Sequence, residues 1–129
     1  MKEFDWCKRA NVIKGVADAL SYLHHDCLEP IVHRDLSSSN CDVYSFGIVT
    51  LEVMMGKHPG DLISLMSRSN VKELANNVIL DQRIQPPSDH MVEVVKFCVE
   101  LALMCINANP STRPSMRQVS IELSKIITS

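Results

Sequence analysis

The sequence predicts a mainly α fold, and three observations predict it. Apolar residues recur at three- and four-residue spacing through several long stretches. Every proline falls between those stretches rather than inside one. The strict polar–apolar alternation that marks a half-buried strand is almost absent.

The first helix is expected over 4–27, with its periodic part from Phe4 to His25. Ile13, Ala17, Leu20 and Leu23 share one face there, while Lys8, Arg9, Lys14 and Asp18 fall elsewhere. Pro30 closes this region, and Ile31-Val32 leads into the polar run HRDLSSSN, so 31–40 reads as a loop. A second helix is expected over 42–55, with Asp42 as N-cap and Gly56 as its stop. Its apolar residues lie all round, which marks a helix buried on most sides. KHPGD is a turn by composition, and Leu62 to Leu80 reads as one or two shorter helices before the Pro86-Pro87 break. From His90 to Ile106 a wide apolar face is formed by Val94, Val95, Cys98, Leu101, Ala102 and Cys105. Asn109-Pro110 ends it. Ser115 followed by Gln118 has the form of a capping box and opens a last helix carrying Val119, Leu123 and Ile126. The C-terminal helices together occupy 62–127.

Length and composition bound the function. A chain of 129 residues with 46% hydrophobic and 22% charged residues is one ordinary globular domain, 1–129. A formal net charge of -2 with scattered Lys and Arg argues against nucleic acid and against an anionic membrane surface. Val43 to Met55 is the longest apolar stretch, and polar residues interrupt it; it falls short of the roughly 20 residues a membrane span needs. The N-terminus has no apolar run of signal-sequence type.

Five cysteines, at 7, 27, 41, 98 and 105, are odd in number and contain no CxxC pair, which argues against a disulfide framework or a zinc ribbon and for a reducing compartment. Cys98 and Cys105, seven apart, are expected on one buried helical face, and Met54-Met55 as core filling. His24, His25, Asp26, Cys27 and His33 invite a metal reading. Adjacent histidines on a helix point about 100° apart, however, so a polar helix end is the better account.

The informative segment is Ile31-Val-His-Arg-Asp-Leu-Ser-Ser-Ser-Asn40. His-Arg-Asp followed five residues later by Asn matches the catalytic loop of protein kinases. That chemistry needs one carboxylate to accept the proton of the attacking hydroxyl and one amide oxygen to hold a metal on the phosphates. The serines at 37–39 read as exposed loop residues.

The flanking segments resemble one family. WCKRANVIKGVADALSYLHHDC is similar to the helix before the catalytic loop in plant receptor-like serine/threonine kinases of the leucine-rich-repeat type. CDVYSFGIVTLEVMMGKHPGDL resembles the central buried helix and the turn after it, and NPSTRPSMRQV resembles the approach to the final helix. The fold implied is a protein-kinase-like C-terminal lobe, and an incomplete one.

The resemblance implies a role for each matching residue. Asp35 would be the catalytic base and Asn40 the magnesium ligand, holding cofactor as Mg-ATP. His33 would pack under the loop, and Arg34 would meet a phosphorylated activation segment. Asp42 would accept hydrogen bonds from the catalytic-loop backbone. Arg113 would pair with the glutamate that ends the activation segment. Ser37 stands where most serine/threonine kinases carry a lysine, as in some plant receptor-like kinases.

In the family, a strand pair, the Asp-Phe-Gly metal site and the activation segment follow Asn40. Here only Cys41 separates Asn40 from Asp42. The N-lobe, with its Gly-rich loop and strand lysine, is likewise not matched, and neither is the glutamate expected to pair with Arg113. The expectation is therefore a truncated kinase domain that binds no Mg-ATP and transfers no phosphate alone. Its rivals are a binding module that engages kinases or their partners, and, less favoured, an enzyme completed in trans. Protein substrates or kinase partners, no nucleic acid, no membrane segment in this chain and a cytoplasmic location complete the expectation. Two virtual bonds hold the Cα atoms of Asn40 and Asp42 within about 7.6 Å. That tether predicts that the Asp35 and Asn40 side chains diverge.

Overall fold

A computed structural model describes residues 5–26, 36–60, 80–107 and 109–127, with backbone only for 25, 26 and 36–40. Among the described residues the elements are α1 (Trp6–Ser21) with a π-helical turn Tyr22–Asp26, α2 (Leu36–Met55), α3 (Asp89–Cys105), a 3-10 turn Pro110–Thr112, and α4 (Met116–Ile126). No strand occurs among them. The mainly α prediction holds, while the helices expected within 62–80 lie outside the described residues but for Leu80.

Asp5 opens α1: its backbone is extended and its carboxylate accepts the Lys8 N–H at 2.9 Å. Ile13 and Ala17 are buried as predicted, together with Trp6 and Ala10. Two expectations on this helix need correction. Arg9, placed on the polar side, is buried, because the core offers it a carboxylate and a carbonyl (described below). Leu23, placed on the apolar face, is exposed. At roughly 100° per residue Leu23 lies about 20° from the exposed Val12 and about 120° from the buried Ala17, so the ordinary helical period already takes it off the buried face.

The largest departure is at α2. Asp42 is not its N-cap, since the helix begins at Leu36 and takes in Leu36–Asn40, which were expected to be loop. Propagating a helix through Ser and Asn costs only a few tenths of a kcal/mol per residue once a nucleus exists. No Gly or Pro stands between Leu36 and Phe46 to stop it. At the other end the predicted stop is found. Gly56 has φ 78, and its N–H donates to Glu52 O at 2.8 Å. A Cβ at Gly56 would stand 2.7–3.0 Å from the Asp81 carboxylate atoms.

Val43, Phe46, Leu51 and Met54 of α2 enter the core and lie along α3, which contributes Val94, Val95, Cys98, Val99, Ala102 and Cys105. Gly47 permits the approach: a Cβ there would meet Ile106 Cγ2 at 2.6 Å and Ala102 O at 2.7 Å. Ser88 caps α3 by accepting the Met91 N–H at 3.3 Å. The capping box of α4 forms as predicted. Ser115 Oγ accepts the Gln118 N–H at 3.1 Å, and Gln118 Oε1 accepts the Ser115 N–H at 3.2 Å. Met116, Val119 and Leu123 then pack α4 against α1, where Ser120 Oγ donates to Asp18.

Candidate functional site

His33, Arg34 and Asp35 lie outside the described residues, and Asn40 is described in its backbone alone. The expected divergence of the Asp35 and Asn40 side chains therefore also lies outside them. What is described is the local backbone: Asn40, Cys41 and Asp42 are successive residues of α2, so Asn40 to Asp42 advances about 3 Å along one helix axis.

Asp42 has a described partner. Its carboxylate meets His24 Nε2 at 2.9 Å, which ties the π turn after α1 to α2. Sequence reasoning gave His24 only a polar helix end, and this contact supplies the group it faces. Any bond from Asp42 to the amides of His33 and Arg34 lies outside the described residues.

Arg113 has other partners among the described residues. Its Nε donates to Asn107 O at 2.8 Å, and its guanidinium stands 5.0 Å from the centre of the Tyr44 ring. The nearby turn is held by Asn109, whose Oδ1 accepts the Ser111 N–H at 3.1 Å. Carbonyl and aromatic face suit a planar cation that cannot shed its charge.

A third cluster went unread in the sequence. Arg9 Nη1 lies 3.0 Å from Asp81 Oδ2 and donates to Val53 O at 2.6 Å. Arg83 closes a fork on Asp81 through Nε at 2.9 Å and Nη2 at 2.8 Å, and its N–H adds a bond at 3.0 Å. The Arg83 side chain and backbone bonds, with Arg9, hold the Asp81 carboxyl well below the usual carboxylate range against the opposing effect of burial. The Asp81 N–H also donates to Met54 O at 2.9 Å, so the cluster secures the end of α2. Asp81-x-Arg83 spacing could have suggested the fork, but nothing local points to Arg9. Beside the cluster a shallow cavity of about 280 Å³ is bounded by Arg9, Glu52, Gly56, Lys57, His58 and Arg83.

Among the described residues no group of three or more His, Cys, Asp or Glu is placed to hold a metal ion. No helix among them is long and apolar enough to cross a membrane.

The helix order and the His-Arg-Asp…Asn pattern of the sequence invite comparison with known proteins. The sequence profile described as protein tyrosine and serine/threonine kinase matches residues 37–123. The chain belongs to that protein kinase family, and its helices are part of a kinase C-terminal lobe. Among similar proteins of Arabidopsis thaliana, a probable leucine-rich repeat receptor-like protein kinase is 37% identical over 173 residues, covering 95% of this chain and 15% of that protein. MDIS1-interacting receptor like kinase 2 is 36% identical over 174 residues, covering 95% of this chain and 17% of its own length. LRR receptor-like serine/threonine-protein kinase RGI2 is 30% identical, covering 94% and 16%. The chain thus spans about 15–17% of the length of these curated relatives. The first alignment runs over 173 positions whereas the chain has 129 residues, so at least 44 positions of that relative face a gap.

Proposed function

We propose that the chain is a remnant of the kinase domain of a receptor-like serine/threonine kinase that does not itself transfer phosphate. The observation that carries this reading is the continuity of α2 from Leu36 through Asp42 to Met55. A kinase must seat a metal-binding carboxylate, beside the amide of its catalytic loop, between that loop and its central helix. One residue inside a helix leaves no room for one. The relative's positions that face a gap agree with a deletion in this chain, and the sequence, with only Cys41 between Asn40 and Asp42, is the ground for placing it there.

Kinases of the family use ATP with magnesium and act on proteins. In this chain Asp35 and Asn40 descend from the base and the metal ligand, and His33 and Arg34 from their supports. Positioning and charge neutralisation supply nearly all of phosphoryl-transfer catalysis, so a base and one amide oxygen are insufficient. Any residual role is that of a cytoplasmic binding module for kinases or their partners.

Isothermal titration of the chain with Mg-ATP tests the reading. The expected trace is flat, and incorporation of labelled phosphate into a generic protein substrate stays at background. Saturable binding in the micromolar range would overturn it.

A further inference from the structure

We draw no further inference here: the strongest candidate, the shallow cavity at the C-terminal end of α2 bounded by Arg9, Lys57, His58 and Arg83, belongs to the Asp81 cluster already described, where both guanidiniums are held on that carboxylate, and nothing in the structure points to what would occupy it.

Discussion

At the scale of single residues, the described interior holds a group that works against the fold and two thiols that are chemically silent. Thr50 is buried in α2, and its Oγ1 has no hydrogen-bond partner among the described residues. A buried hydroxyl that has given up water without a replacement costs stability. Thr50→Val keeps the shape and removes the polar atom, so it should stabilise the chain by about 1 kcal/mol. A rise in urea midpoint at unchanged m-value is the readout; a fall would mean that the hydroxyl is bonded. Cys98 and Cys105 are the silent groups. Burial pushes both thiols up to about 12, so neither forms thiolate near neutrality. Brief iodoacetamide treatment at about pH 8, close to the ordinary thiol value, should modify the exposed Cys7 and Cys41. Peptide mass spectrometry should find Cys98 and Cys105 modified only after denaturant is added.

At the scale of elements, the crossing of α2 and α3 depends on the missing side chain of Gly47. An added methyl would meet Ile106 Cγ2, Ala102 O and Cys105 Cβ at 2.6, 2.7 and 3.0 Å. One of those neighbours is backbone, so the helices themselves must move apart. Gly47→Ala should therefore destabilise by about 1–3 kcal/mol, even though alanine is the better helix former in isolation. Thermal unfolding by circular dichroism measures it, and a raised midpoint would show that the crossing has slack. The same helix shows how an element's start is decided. Asp42 looks like a cap and the serines before it look like a loop, yet the chain runs helical from Leu36. Both local signals are weak beside the gain from extending a helix already nucleated and packed.

At the scale of the molecule, the Asp81 cluster joins parts that are far apart in sequence: α1 through Arg9, the end of α2 through Met54 and Val53, and the segment before α3 through Arg83. Arg9→Ala leaves Asp81 its bonds from Arg83 but strands the Val53 carbonyl and empties a buried position, so it should cost about 1–3 kcal/mol in chemical denaturation. A cost below that of an ordinary surface change would remove the cluster from the account. The acid dependence has a definite sign. The Asp81 carboxyl is lowered in the folded chain, so its contribution is fully present above the ordinary carboxylate value of about 4 and is lost as pH falls from there toward the folded value. Stability should decline over that acid window, and Asp81→Asn should flatten the decline. An unchanged slope in the variant would assign the acid sensitivity to other groups.

The sequence by itself determined the helical class, the stop at Gly56, the capping box at Ser115 and Gln118, the buried cysteines of α3 and the kinase family. The family rests on the resemblance of whole segments to known kinases; the others rest on neighbours within a turn or two, or on helical periodicity, and such signals survive without knowledge of what packs against them. The tertiary structure decided the burial of Arg9 beside Asp81, the pairing of Asp42 with His24, the seating of Arg113 between Asn107 and Tyr44, and the extension of α2 back to Leu36. The first three depend on which group another segment brings within reach, because a charge is placed by the partner that offsets its loss of water. The last depends on propagation: a helix nucleated further along extends through residues whose own signals favour a loop.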